Sequence, residues 1–346
     1  MKKLFYHFIK KIVRVGSINY FRKIKLYGLE NIPKDGGVIF SPNHQGAFLD
    51  PLLVGTILPK EVTSLTRSDV FGGPFQWFFD ALRMLPVYRI RNGYASLKKN
   101  ELVFKNCRDL LRKKEWVVMF SEAAHHNEYY LQNLSKGSSR LAYEAQLESD
   151  EVPIYLMPLG INYGHHQKPR CDLHMVLGEP IRIDKYLIGN VSKPETLNKI
   201  KNELEIGMKK CLWLPNNDTD YSEKKKLIHR KNTLLDFNDL RNGIGKKTLD
   251  PEKKIKNQQL LRFFIVIFSV PNFPPLFILK RILGLFTDIV FYSSLKFTVG
   301  ILLLMIWWIV LFLYTLNYFS LIVSLLLITV CYLCLKIRQY LLFYIK

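Results

Sequence analysis

The sequence predicts an α/β layer fold followed by a membrane-embedded helical region. Three observations carry that expectation. Apolar runs of strand and helix period alternate from residue 25 to about residue 185. Residues 1 to 250 mix charged and apolar side chains as a globular protein does, whereas residues 260 to 346 are dominated by Leu, Ile, Phe and Val with very few charges. A length of 346 residues accommodates one catalytic domain with a sizeable core plus an appendage.

Residues 2 to 15 place Leu4, Phe5, Phe8, Ile9, Ile12 and Val13 at helical spacing, with Lys2, Lys3, Lys10, Lys11 and Arg14 largely on the other side. Residues 1–22 therefore predict a basic amphipathic helix, set either in the headgroup region of a membrane or against the domain with a solvated basic face. Short strands at 25–27 and 37–40 follow, split by the turn Pro33-Lys-Asp-Gly-Gly37. The pattern continues as a helix from Pro51, a strand at 62–66, a helix at 74–82, a strand at 85–87 and a helix at 95–112. A strand at 116–120, a helix at 136–146 and strands at 154–163 and 174–177 complete it. These elements bound a domain at 23–190. Residues 191–259 are rich in Lys, Asn and Asp with one amphipathic helix at 195–212, and read as a polar helical connector.

The last region, 260–346, has two parts. Its first apolar stretch, 263–279, is interrupted by Pro271-Asn-Phe-Pro-Pro275, which cannot continue a helix, and Arg262, Lys280 and Arg281 flank it; a broken or re-entrant element is expected. Residues 297–335 are almost uncharged and about twice the ~20 residues needed to cross a bilayer. Asn317 lies near their middle, between Tyr314 and Tyr318, so two transmembrane helices with a tight turn are expected. Lys296, Lys336 and Arg338 flank the pair, and Lys253, Lys254 and Lys256 precede it. By the positive-inside rule both ends and the α/β domain lie on the cytoplasmic side of the inner, cytoplasmic membrane.

The net charge of +21, from 50 basic and 29 acidic residues, fits nucleic acid, a membrane surface or an anionic substrate. The basic residues are scattered and form no zinc-finger, RNA-recognition or basic-zipper pattern, so membrane lipids are expected as partners and nucleic acid is not. Five cysteines at irregular spacing point to a reducing compartment, and Cys331-x-x-Cys334 sits in an apolar stretch without a nearby His, so neither a metal nor a redox role is expected. The N-terminus is basic but has neither a continuous apolar core nor a small-residue cleavage site, which predicts no cleaved signal peptide.

The chemistry concentrates at the end of the second strand, in Ser41-Pro-Asn-His-Gln-Gly-Ala-Phe-Leu-Asp50. His44 with a carboxylate partner is a candidate general base. Asp50 precedes Pro51 and an apolar run, which also suits a helix cap. Six residues are about 600° of helix, so the two share no helical face and His44 must fold back from a loop. Three further blocks follow in order. They are Leu85-Pro-Val-Tyr-Arg89-Ile-Arg91, then Val118-Met-Phe-Ser-Glu122 with the later Lys136-Gly137, then Val152-Pro-Ile-Tyr-Leu-Met-Pro158-Leu-Gly-Ile-Asn162.

This order resembles the glycerol-phosphate and lysophosphatidate acyltransferase family across roughly residues 23 to 185, and the tail segment Asn272-Phe-Pro-Pro275 with residues 292–300 resembles its membrane-anchored bacterial members. The resemblance implies a central, mainly parallel or mixed sheet flanked by helices. It implies O-acylation of a glycerol phosphate or lysophospholipid from acyl-CoA or acyl carrier protein as co-substrate, with no further cofactor. In that scheme His44 is the general base and Asp50 holds its tautomer. Arg89 clamps the acceptor phosphate with Arg91 in reserve, and Lys136 and Gly137 add a cation and backbone donors. Glu122 orients acceptor hydroxyls or the phosphate-binding basic residues, and His125 stands where the family has a basic residue three positions after the glutamate.

Three departures distinguish this chain. Five residues rather than four separate His44 from Asp50, Ser121 and Ala123 replace a proline and a glycine, and His125 makes phosphate affinity pH-dependent. An amino-acid-derived lyso-lipid acceptor, a lipid-binding protein that keeps the fold, and a hydrolase using the same pair on water stay open; no G-x-S-x-G elbow is present for a serine route.

Overall fold

Alternation of side chains along each strand explains the layering seen in a computed structural model, which describes residues 2–71, 76–88, 94–122, 124–188, 192–251, 257–342 and 344. The strands are β1 (Lys23–Tyr27), β2 (Gly37–Pro42), β3 (Val62–Arg67), β4 (Met84–Val87), β5 (Trp116–Val118), β6 (Ile154–Tyr163), β7 (Asp172–Leu177) and β8 (Ile181–Arg182). They form one sheet in the order β1-β7-β6-β2-β5-β3-β4, with β8 also paired to β6. β6, β2, β5, β3 and β4 run parallel, while β7 and β8 are antiparallel to β6 and β1 is parallel to β7. The sheet is therefore mixed around a parallel centre. β1 and β2 are neighbours in sequence but not in the sheet, because β1 pairs with β7 from Lys23 opposite Asp172 to Tyr27 opposite Val176.

Successive residues of the central strands enter two different cores, as a sheet covered on both faces requires. Val38, Phe40, Trp116, Val118, Met157 and Leu159 pack under α1 (Lys2–Tyr20) and α2 (Leu49–Ile57). Ile39, Val117, Ile154 and Leu156 face the opposite way. They pack with Leu111 from α4 (Tyr94–Arg112), Leu141 and Ala145 from α5 (Gly137–Leu147) and Leu204 from α6 (Lys193–Lys210). The short α3 (Gln76–Ala81) leads into β4.

Two expectations change here. The region after residue 190 is not a detached connector, since α6 closes one layer of the domain. Trp213, Tyr221, Leu227, Phe237 and Leu240, from the segment holding α7 (Tyr221–Lys225) and α8 (Phe237–Lys246), form a third core with Val176 of β7. α1 does not choose between domain and open surface. Tyr6, Val13, Ser17 and Tyr20 are buried, while Leu4, Phe8, Val15 and Ile18 form an exposed apolar stripe on the far side. Arithmetic at 100° per residue places those four within about 40° of one line.

The tail contains α9 (Gln258–Ile267), α10 (Phe273–Leu283), α11 (Phe291–Tyr318) and α12 (Leu321–Leu342). α11 and α12 are each long and apolar enough to cross a membrane, and their turn lies at 319–320 rather than at Asn317, which is still helical. α9 and the helical stretch Val270–Leu283, which includes α10, are bent by 52° at the break between Ile267 and Val270. Pro274 and Pro275 fall in the first turn of α10, where a missing N–H costs nothing. The irregular backbone at the break is not left bare: Trp307 Nε1 donates to Pro271 O (3.1 Å), Trp308 Nε1 donates to Asn272 Oδ1 (2.8 Å) and Asn272 Nδ2 donates to Cys331 O (2.7 Å). Non-helical backbone at membrane depth is tolerable only when protein supplies such partners. All five cysteines are free thiols, including Cys331 and Cys334.

Candidate active site

The central strand β2 delivers its last residues to the carboxyl edge of the parallel strands, the edge where open α/β sheets place their ligands. Asn43 fixes the exit. Its Nδ2 donates to Ile161 O (3.1 Å) and its Oδ1 accepts from Ile161 N (2.6 Å), so a side chain continues the ladder to β6 after the strand has ended. His44 then turns into the open edge with its ring tilted against Phe120 at 4.3 Å.

The loop folds His44 back onto Asp50, with Nδ1 2.9 Å from Oδ2. Asp50 is fully buried, whereas the His44 side chain is 19% exposed. Asp50 Oδ2 also accepts the backbone N–H groups of Gln45 (2.8 Å) and Gly46 (2.7 Å), and Oδ1 accepts the Tyr163 hydroxyl at 2.6 Å. The capping role expected of Asp50 is thus corrected. α2 begins at Leu49, and the carboxylate satisfies amides of the loop before it, not those of the helix it sits in. Burial, then the adjacent Asp50 carboxylate, holds the Tyr163 phenol well above its ordinary range, so it stays a donor. An ionised carboxylate only accepts, so the tautomer of a neutral imidazole that suits this contact carries its proton on Nδ1.

Gly46 is dictated by this closeness: a Cβ there would sit 2.6 Å from Asp50 Oδ1 and 2.7 Å from Tyr163 Oη. The fifth intervening residue is absorbed at buried Ala47, whose φ of 45° is left-handed. Behind the loop, His166 Nε2 donates to Gln45 Oε1 (3.1 Å) and Gln45 Nε2 donates to Tyr129 O (3.2 Å). Burial, reinforced by His165, lowers the His166 pKa to about 3, so that donor is a neutral imidazole.

Glu122 takes a different place from the one expected. Its side chain is fully buried and accepts from the His44 amide and from Gln132 N (2.7 Å), with His126 Nε2 at 3.2 Å. A carboxylate so occupied braces the backbone of His44 rather than meeting an acceptor hydroxyl. His126 N in turn donates to His44 O at 3.1 Å. Ser121, which replaces the family's proline, joins a buried hydroxyl chain: Ser41 Oγ to Ser121 Oγ and Ser121 Oγ to Ser138 Oγ, each 2.6 Å.

His125 stands edge-on to His44 at 5.6 Å, against Phe291 at 5.0 Å, and its Nε2 is 3.1 Å from Asp288 Oδ2. Burial opposes ionisation of Asp288, but the Val290 N–H and His125 together hold it below the usual carboxylate range. Lys136 is exposed at the N-cap of α5, Gly137 opens that helix, and Ser135 N donating to Ser121 O (2.8 Å) stitches them beside Glu122. Arg89, Arg91 and Ala123 lie outside the described residues. Among the described residues no group of three or more His, Cys, Asp or Glu is arranged to hold a metal ion. Sequence reading missed two members of the site, Tyr163 and Ser294. Tyr163 ends a recognised strand and was there to be asked about; Ser294 lies in the stretch 292–300 singled out for its resemblance, but nothing in the sequence tied it to His44.

The family profile described as Acyltransferase matches residues 23–162, from the start of β1 almost to the end of β6. A chloroplastic 1-acyl-sn-glycerol-3-phosphate acyltransferase of Arabidopsis thaliana is 31% identical over 163 residues, which is 46% of this chain and 43% of that protein. Another from Brassica napus is 26% identical over 219 residues, 59% of this chain and 58% of its own length. A glycerol-3-phosphate O-acyltransferase of Saccharomyces cerevisiae is 27% identical over 32% of this chain and 15% of that protein. The chain thus spans less than two thirds of the curated relatives it matches. The crystal structure of a 1-acyl-sn-glycerophosphate acyltransferase from Thermotoga maritima aligns at 19% identity with a TM-score of 0.43, covering 60% of this chain and 80% of that one.

Proposed function

We propose that the chain, whose residues 23–162 match the Acyltransferase profile, is a membrane-bound enzyme of the glycerolipid acyltransferase family that moves a fatty acyl group from acyl-CoA or acyl carrier protein to a hydroxyl of glycerol phosphate or a lysophospholipid. The observation that carries this reading is the 2.9 Å contact between Nδ1 of the partly exposed His44 and a buried Asp50, and in the reading it supports Nε2 is the basic nitrogen.

In this mechanism Nε2 takes the acceptor hydroxyl proton as the oxygen attacks the thioester carbonyl. A C–O bond forms and the carbonyl electrons move to oxygen. Collapse then breaks the C–S bond, and the proton on Nε2 passes to the departing sulfur. Asp50 stabilises the imidazolium between the two steps without taking the proton. Glu122 holds the His44 backbone, and Lys136 supplies a cation for the acceptor phosphate.

The α11–α12 pair crosses the membrane with both ends on the cytoplasmic side, and the exposed stripe of α1 lies in the same leaflet. Membranes carrying wild type or His44→Ala, given labelled acyl donor and a panel of acceptors, test the chemistry. Product that needs both substrates and disappears in the variant is expected, and undiminished product would overturn the mechanism. A cysteine at Ser320 should label only from the non-cytoplasmic side.

A further inference from the structure

The catalytic loop is closed by a residue from the membrane region. Between His44 and Asp50 the chain passes through Gly46, left-handed Ala47 and Phe48 before α2 starts at Leu49. Leu49 N donates to Gly46 O at 2.9 Å, which closes the turn on itself. Into that turn projects Ser294, from the first turn of α11 and 248 positions from Gly46 in sequence. Its fully buried hydroxyl donates to Gly46 O and accepts from Leu49 N at 3.1 Å. One side chain therefore ties both ends of the turn that carries the additional residue, and is a second acceptor for the Leu49 N–H that Gly46 O also accepts.

A non-glycine residue at positive φ persists only where its surroundings over-determine it, and Ala47 has no local reason to be there. The supporting contacts come from the same element and from the residues just before it. Phe291 lies 5.8 Å from Phe48 and 5.0 Å from His125, and Asp288 pairs with His125. We infer that Ser294 is a positioning residue for the His44–Asp50 pair, and that the start of α11 is part of the active site rather than only an anchor. This rests on the acyltransfer reading above.

The test uses the full-length chain in vesicles, comparing Ser294→Ala, Ser294→Thr and the double variant Ala47→Gly/Ser294→Ala with wild type and His44→Ala. The expected result for Ser294→Ala is a fall in kcat of about tenfold or more, with the KM for donor and acceptor changed far less, because the base is misplaced and the substrates are still held. Threonine, which keeps the hydroxyl, should recover most of the rate, and Ala47→Gly should recover part of it by removing the left-handed penalty.

Independently of turnover, amide exchange across 45–50 should accelerate about tenfold in Ser294→Ala and return towards wild type with threonine. Wild-type kcat and exchange in Ser294→Ala would overturn the inference. So would a loss that tracks only protein yield and that threonine does not rescue. A dead His44→Ala beside an unaffected Ser294→Ala removes this inference alone, whereas an active His44→Ala removes the mechanism beneath it. In that second case the exchange result still decides whether Ser294 sets the loop.

Discussion

The loop 43–50 and the segment 121–137 both leave the carboxyl edge of the parallel strands, and both carry a fully buried carboxylate, yet they do opposite things with it. Asp50 spends one oxygen on Tyr163 and the other on two amides and an imidazole, so its effect ends in a partly exposed ring. Glu122 spends both oxygens on the His44 amide, Gln132 N and His126, so its effect ends in backbone. On the proposed mechanism one region presents the base and the other holds the presenter. Two carboxylates of equal burial are told apart by their partners.

The largest effects should come from the presenting loop. His44→Ala should lower acyl transfer by about 10³-fold or more, and Asp50→Asn by roughly 10²- to 10⁴-fold through loss of the tautomer. Initial rates in membranes check both, with thermal unfolding to separate chemistry from fold. Equal activity of Asp50→Asn and wild type would break the comparison at its first term.

Glu122→Gln comes next. The amide keeps one acceptor and turns an NH₂ towards donors, leaving a buried N–H unpaired at a cost of about 1–3 kcal/mol. A lower melting temperature and kcat, with acceptor KM nearly unchanged, are expected. A raised acceptor KM at unchanged kcat would instead put Glu122 on the substrate. Lys136→Ala should do what Glu122→Gln does not, raising the KM for phosphate-bearing acceptors by about tenfold without moving the melting temperature.

The smallest effect at neutral pH concerns the floor of the loop. Burial lowers His165 to about 4 and His166 to about 3. The unfolded chain takes up those protons near pH 6.5 and the folded one only well below, so stability rises with pH through that window and is lost as pH falls from about 6.5 towards 3. His166→Gln should flatten the acid side of a melting-temperature profile and leave the profile above pH 7 nearly unchanged. An unaltered acid limb would remove His166 from the account.

The nearly continuous apolar run 154–163 was enough to bound β6, because a strand covered on both faces carries apolar residues at successive positions, and every residue of β6 is buried. The motif order likewise brought His44, Asp50 and Glu122 to one sheet edge, because parallel strands align their carboxyl ends. The His44–Asp50 contact could be anticipated from residue types. Its geometry could not, because left-handed Ala47 and the need for Gly46 follow from Tyr163 and Ser294 pressing on the turn.

The sequence by itself determined the elements, their layer class and the apolar tail, because period and composition are properties of neighbours along the chain. It also offered the imidazole and the carboxylates. Only the tertiary structure decided that β1 pairs with β7, that residues after 190 close the domain, that Asp50 serves its loop instead of its helix and that Glu122 faces inward. It alone set Ser294 against Gly46. The physical reason is common to all of these: strand pairing and buried hydrogen bonds join groups far apart in sequence, and a donor's partner is chosen by what the completed fold leaves within about 3 Å of it.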